Sequence, residues 1–435
     1  MTGPSPPGGS DRSPPRQAAA LAAAESAFAR LSPRPPEARL FVPGRIEVLG
    51  KHTDYAGGRS ITCATEQGFS FVFRARPDRR LVVIDARFNR RAECALHADA
   101  PPATGHWSNY VLTVIRRLRR NFPGLSVGAD VAFASTLPTA AGLSTSSALI
   151  IGTYLVLSRI NGLPAHPEYH GTLGDPARLA GYLGSIENGQ TFGTLAGDEG
   201  VGTHGGSEDH TAILLSEAGR LGCFRYHPHI VRLASLPLDD GLTFVVAASG
   251  IAAAKTGGAQ SRYNRAASLV VDLVRRWNDA EGRRDETLSD ALDSSGGALV
   301  RLRALASVDE RPRLAHFLVE DREILPAALE ALAAGDVTAF GRLVDRSQAS
   351  AETLLGNQVP ETVTLARLAR ELGADAASAF GAGFGGSVWA LVDAARAELF
   401  AKAWAVRYAE RHPDASARAE FFTTRPGRGA GFMDD

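Results

Sequence analysis

Four stretches of the chain collect residues able to do chemistry. In Leu137-Pro138-Thr139-Ala140-Ala141-Gly142-Leu143-Ser144-Thr145-Ser146-Ser147-Ala148, a turn-forming proline and small residues lead into consecutive hydroxyls, then an apolar run at helical spacing. A helix start offers unpaired N–H groups and the positive end of the helix dipole, which suit an anion such as a phosphate chain. A merely capped helix would have the same composition, because serine and threonine cap helices for stability alone. Between Pro43 and Gly58, Arg45, Lys51, His52 and Asp54 fall within ten positions of one another. A polar loop on short strands presents binding groups well; a solvated hairpin with a satisfied His–Asp pair is the plainer alternative. Gly205-Gly206-Ser207-Glu208-Asp209-His210 precedes a helix expected over Thr211 to Ser216, where Asp209 serves most simply as an N-cap. Finally, four glycines between positions 381 and 386, Gly383 and Gly385 among them, make a loop whose backbone must approach something closely.

These loops need elements to hold them. Periodicity predicts helices over Gln17 to Leu31, Trp107 to Leu118, Pro176 to Glu187, Ser261 to Asp279, Glu286 to Leu305 and Ala395 to Arg411, with several more from Arg311 to Leu372. Strands are expected at Leu40 to Val42, Phe69 to Phe73, Leu81 to Ile84, Cys94 to Leu96, Ala129 to Phe133, Leu242 to Ala248 and Val388 to Val392. Arg116, Arg117, Arg119 and Arg120 read as the wet face of a helix rather than a nucleic-acid patch. The chain has 435 residues, 44% of them hydrophobic, enough for a large two-lobed core. Its 47 basic and 47 acidic residues cancel, so no global field draws it to nucleic acid or membrane. Cys63, Cys94 and Cys223, with no C-x-x-C, fit a reducing cytoplasm and oppose a zinc site. No apolar run approaches the roughly 20 residues that cross a bilayer.

Taken together, the stretches resemble the three signature motifs of the GHMP small-molecule kinases. Pro43 to Gly58 is most similar to the galactokinase branch, whose signature is Gly-Arg-x-Asn-x-x-Gly-Glu-His-Thr-Asp-Tyr-x-x-Gly. Trp107-Ser108-Asn109-Tyr110, Tyr263-Asn264-Arg265 and the terminal Phe421-Phe422…Gly427-Arg428-Gly429-Ala430 also have counterparts there. The resemblance implies an ATP-dependent sugar 1-kinase using Mg²⁺. It puts Pro138, Ala140, Ala141, Gly142, Leu143, Ser144, Thr145, Ser146, Ser147 and Trp107 at the nucleotide. Thr145 and Glu187 become the magnesium ligands, an oxygen pair that suits the ion. Asp209 becomes the carboxylate that accepts or steers the sugar hydroxyl's proton, and Arg45 the cation facing it. Lys51, His52, Asp54, Gly206, Tyr263, Gly383 and Gly385 are carried over to the sugar.

The family pattern is broken at three positions. Its Asn is Glu47 here and its Glu is Lys51, which exchanges an acceptor for a donor. Either Glu47 and Lys51 compensate each other and galactose remains the substrate, or Lys51 greets a different sugar, such as a uronic acid. Ala140 replaces a usual Gly and is expected to hold an ordinary backbone angle. The rival reading is a non-catalytic sugar and ATP sensor on the same fold, which would be free to lose Arg45, Glu187 and Asp209. The fold class implied is α+β, a two-lobed GHMP kinase fold with a mixed sheet and helices in the N-terminal lobe and a ferredoxin-like C-terminal lobe. The expected organisation is a disordered tail over 1–16, an N-terminal lobe over 17–235 and a C-terminal lobe over 236–435. Partners are a small sugar and ATP, with no nucleic acid or membrane, and the protein is expected to be a cytoplasmic monomer.

Overall fold

A computed structural model of the chain describes residues 15–96, 103, 105–253 and 258–433. The tail expected over 1–16 lies outside these, apart from its last two residues, which open helix α1 (Pro15–Leu31). Strands β1 (Ala38–Leu49), β2 (Arg59–Arg76), β3 (Arg80–Asp85), β4 (Arg90–Ala95), β5 (Gly128–Ser135), β6 (Arg220–Arg225) and β7 (Val231–Pro237) build the first sheet. Its order is β12-β1-β2-β5-β3-β4, where β12 (Gly431–Phe432) returns from the end of the chain. Besides β1, the long β2 serves two neighbours: its start pairs with β6 and its end with β5. Only β3 and β5 run parallel among the described pairs.

The two faces of this sheet are covered differently. Ala24, Ala27 and Phe28 of α1 pack on Val72, Ala132 and Ala134. Helices α2 (Ser108–Asn121), α3 (Thr145–Asn161), α4 (Pro167–Leu173), α5 (Pro176–Asn188) and α6 (Glu208–Leu215) follow, several of them packing into the main core. Arg117 is not on a wet face. It is fully buried, donating to Asn121 Oδ1 at 2.8 Å, Ser185 Oγ at 3.0 Å and the carbonyl of Gln190 at 2.6 Å.

The second sheet is antiparallel, in the order β11-β8-β10-β9, from β8 (Leu242–Ala248), β9 (Ala376–Phe380), β10 (Ser387–Asp393) and β11 (Glu420–Thr424). Apolar residues alternate across it, as a two-sided sheet requires. Phe244 and Val246 of β8 and Trp389 and Leu391 of β10 join the main core. Val245, Ala247, Val388 and Ala390 instead face α13 (Pro360–Glu371) and α14 (Ala397–Arg411). A helical block stands to the side: α7 (Gly258–Glu281), α8 (Leu288–Asp293), α9 (Ala298–Leu305), α10 (Glu310–Phe317), α11 (Leu325–Ala333) and α12 (Val337–Ser350). The single helix expected over Glu286 to Leu305 is two helices, separated by the break at Ser294–Gly297. Part of the block packs through Trp277, Leu302 and Phe317 onto Ala56. Turns of π-helix at Leu318–Ile324 and Ala351–Leu355 interrupt it, a feature frequent near functional sites.

Candidate active site

The Arg45 motif is no solvated hairpin. Pro43 to Leu49 continue strand β1, with bulges between Pro43 and Arg45 and between Glu47 and Leu49. Bulges re-aim side chains, and Arg45 turns inward, only 4% exposed. Its Nε and Nη2 reach Asp209 Oδ1 at 2.8 and 2.7 Å, and its Nη1 donates to the carbonyl of Gly142 at 2.6 Å. Burial works against the guanidinium's charge, yet Asp209, Glu208 and Glu47 together raise its pKa. Asp209 is not the N-cap of α6: that position is Ser207, and Asp209 projects from the first turn.

Helix α3 supplies the opposite wall. Ser144, its N-cap, has φ 59°, and Gly142 has φ 74°. Ala140 also lies in the left-handed region, at φ 52°, so the expectation of an ordinary backbone angle is corrected. Ser146 Oγ donates to Glu187 Oε1 at 3.1 Å and Ser147 Oγ to Glu187 Oε2 at 2.7 Å. Ser147 Oγ is also 3.3 Å from Asp209 Oδ2, so one helix turn touches both carboxylates. The hydroxyls that meet Glu187 directly are those of Ser146 and Ser147, while Thr145, expected with Glu187 at the magnesium ion, precedes them on the same helix turn. Thr145 instead lines a cleft of about 1080 Å³ with Trp107, Ala140, Gly142, Ser144 and Ser146. Pro138, Ala141 and Leu143 are buried and shape the loop without lining that cleft.

A second cavity of about 530 Å³ is lined by Arg45, His52, Asp54, Gly206, Asp209 and Tyr263, with Glu47, Glu187 and Glu208 beside them. Arg45 joins the two spaces, since it lines this cavity and binds the carbonyl of Gly142, which lines the other. His52 pairs not with Asp54 but with Tyr55 Oη at 2.8 Å and the carbonyl of Ala382 at 3.1 Å. Burial first, then Arg313, push its pKa down to about 3. The neutral ring must then donate from Nε2 to Ala382 and accept at Nδ1 from Tyr55. Burial raises the Asp54 pKa; its Oδ2 accepts from the Glu208 amide at 3.3 Å. A Cβ on Gly206 would stand 2.4 Å from that same oxygen, so only glycine fits.

Three expected sugar contacts are elsewhere. Lys51 is fully buried outside the cavity lining, its Nζ 2.9 Å from Ser347 Oγ, which in turn donates to Glu320 Oε1 at 2.9 Å. Gly383 and Gly385 also miss the cavity. Their φ values of 79° and 128° serve close packing, and a Cβ would meet Asn357 and Ile251 at 2.3 and 2.7 Å. Gly381 and Ala382 of the same loop line the cavity instead. Glu208 and Tyr55, side by side with identified motif residues, went unread because neither type is diagnostic alone.

The residues fit a magnesium nucleotide. Among the described residues no cluster of three or more His, Cys, Asp or Glu side chains suits a metal ion. Glu187 with two serine hydroxyls is an all-oxygen set of the kind Mg²⁺ shares with phosphate and water. Among the described residues the buried Ser144 Oγ at the helix start has no hydrogen-bond partner, which leaves a donor for an anion there.

A model of the GHMP kinases N terminal domain matches residues 109–193, and one of the GHMP kinases C terminal region matches 328–410. The galactokinase galactose-binding signature matches 26–75. The galactokinase of Chloroflexus aggregans is 29% identical over 89% of this chain and 92% of its own length. That of Roseiflexus is 28% identical over 90% and 92%. The crystal structure of Lactococcus lactis galactokinase complexed with galactose superposes with TM-score 0.77, covering 94% of this chain and 99% of that one at 23% identity. A mevalonate kinase structure superposes at 0.52, with 14% identity over 89% and 98%. With signature loops, lobes and motif order all in agreement, the chain belongs to the GHMP kinases, in their galactokinase branch.

Proposed function

We propose that this chain phosphorylates galactose at its anomeric hydroxyl, using ATP and Mg²⁺. The observation that carries the reading is the Arg45–Asp209 pair at the junction of the two cavities. The smaller cavity takes the sugar, and the cleft at the start of α3 takes the nucleotide, whose phosphates meet free helix N–H groups. Phosphoryl transfer asks the protein mainly for alignment and charge stabilisation. Asp209 accepts the hydrogen bond of the attacking hydroxyl, while Arg45 holds that carboxylate in place and offsets charge as the phosphoryl group moves. Glu187, Ser146 and Ser147 would hold Mg²⁺, which neutralises phosphate charge when bound. Trp107 borders the nucleotide cleft. His52, Asp54, Gly206 and Tyr263 surround the sugar.

All these groups come from one chain, which supports a working monomer. The three cysteines are free and no described helix is long and apolar enough to cross a membrane; the free thiols fit a reducing cytoplasm. The test is ADP release with galactose. Wild type is expected to turn over, and Asp209→Asn to lose about 10²–10⁴ in kcat while still binding ATP. Absence of galactose-dependent ADP release from folded wild type would refute the reading.

A further inference from the structure

Arg313 stands on α10, 3% exposed, and its donors reach the loop that carries His52. Its Nη2 donates to the His52 carbonyl and, at 3.3 Å, to Tyr55 Oη; its Nη1 meets His316 Nδ1 at 3.2 Å. Its Cζ also lies 5.5 Å from the centre of the Tyr55 ring. All three hydrogen-bond partners are uncharged, since burial first, then Arg313 itself, keep the His316 pKa well below its ordinary value. Burying a cation among neutral groups opposes folding, so stability does not account for this arginine. What it does is give direction to a chain of bonds. Tyr55 Oη, accepting from Arg313, turns its own proton to His52 Nδ1 at 2.8 Å. The His52 proton therefore sits on Nε2 and goes to the Ala382 carbonyl at 3.1 Å. His52 also holds φ 57°, which side chains disfavour, while its carbonyl is bound by Arg313. Gly381 and Ala382, at the end of the chain of bonds, line the smaller cavity.

We propose that Arg313 is a positioning residue for sugar binding: through Tyr55 and the His52 carbonyl it fixes the His52 ring as a donor to Ala382, and with it the wall of the cavity at Gly381 and Ala382. The proposal rests on reading this cavity as the sugar site. Arg313 does not line the cavity itself; its influence arrives through His52, which does. Both ring nitrogens of His52 are then engaged inside the protein, so the ring meets the sugar as a fixed surface rather than as a hydrogen-bonding group. A lysine could not replace the arginine, because one ammonium lacks the planar fork that reaches a carbonyl, a hydroxyl and a histidine together. Arg45 keeps its own bonds to Asp209 and the Gly142 carbonyl, so alignment for transfer does not depend on Arg313.

Kinetics and nuclear magnetic resonance test it together. Arg313→Met should raise the galactose KM about tenfold, and leave kcat and the ATP KM within about threefold of wild type. Tyr55→Phe cuts the same chain of bonds in the middle, so the double variant should be no worse than the poorer single one. Arg313→Lys should fall near Arg313→Met rather than near wild type. Nitrogen-labelled histidine in the wild-type protein should show the His52 ring neutral, with its proton on Nε2. An unchanged galactose KM in folded Arg313→Met, effects of the two substitutions that multiply, recovery by Arg313→Lys, or a His52 proton on Nδ1 each overturns the proposal. If Arg313→Met fails to fold, Arg313→Lys and Tyr55→Phe decide it. Absence of galactose turnover by wild type would instead refute the kinase reading, and the same weakening, read as galactose affinity by calorimetry, would still decide on Arg313.

Discussion

Lys51 shows how one residue can be read correctly as chemistry and wrongly as place. Its ammonium is fully buried and bonds Ser347 Oγ. Glu320, which accepts from the Gly50 amide at 2.8 Å, completes the arrangement. Both partners lie on the helical block, 269 and 296 positions further along the chain, and nothing local announces them. The acceptor-to-donor exchange with the family was legible; its inward destination was not. Lys51→Met should therefore act on stability, costing about 2–4 kcal/mol because the neighbouring acids lose their cation. Chemical denaturation checks this, and a galactose KM within about threefold of wild type would separate it from a sugar ligand. Glu47 gives a pH signature. Burial first raises its folded pKa to about 7, from 4.5. Between those values the folded chain keeps a proton that the unfolded chain has released, so stability falls as pH rises through the window. Glu47→Gln removes that loss. Its unfolding free energy should gain on wild type from pH 5 to pH 8, by about 1–3 kcal/mol in total, read by chemical denaturation at each pH; a constant gap would remove the linkage.

The helix carrying the phosphate loop is set by close approach to the sheet. A Cβ on Gly152 of α3 would stand 2.3 Å from Phe71 Cζ, and that ring is held by Phe69 and Phe133 at centroid distances of 5.8 and 5.4 Å. Gly152→Ala should then cost about 1–3 kcal/mol through overpacking. It should also raise the ATP KM, because the start of α3 moves with its middle. Steady-state kinetics beside thermal unfolding reads both, and an unchanged KM would mean that the loop holds itself. The helix and its hydroxyls were plain from spacing, but the loop's backbone was not. Ala140 occupies φ 52° although alanine disfavours that region. What keeps it there is tertiary: its carbonyl accepts from the Ala253 amide at 2.9 Å. Ala140→Gly is expected to stabilise by about 0.5–1 kcal/mol without weakening ATP binding, which calorimetry of folding and of nucleotide binding would check.

At the scale of the whole molecule, the chain's end ties its lobes together around the site. After β11 in the second sheet, Gly427 donates to the carbonyl of Ala64 at 2.8 Å, Gly429 to Ser216 at 2.9 Å and Ala430 to Ile213 at 2.7 Å. β12 then pairs with β1, matching Phe432 to Leu40, and the Met433 amide reaches the carbonyl of Arg39 at 3.0 Å. The end therefore grips both α6, which carries Asp209, and β1, which carries Arg45. A two-residue strand has too little sequence pattern to show where it lands, so this return to the first sheet was not legible in the sequence. Deleting residues 426–435 should lower the melting temperature and free the far end of α6. The Arg45–Asp209 geometry would loosen, and a misplacement near 1 Å costs about 10²-fold in rate. Ala430→Pro, which removes the N–H that bonds Ile213, isolates that effect from loss of the strand. It should lower kcat more than it raises the galactose KM, because the alignment it disturbs belongs to transfer rather than to sugar binding. A kcat that stays level in both variants while melting falls would make the tail a clamp on the lobes alone, with α6 positioned by its packing against α5 and the sheet.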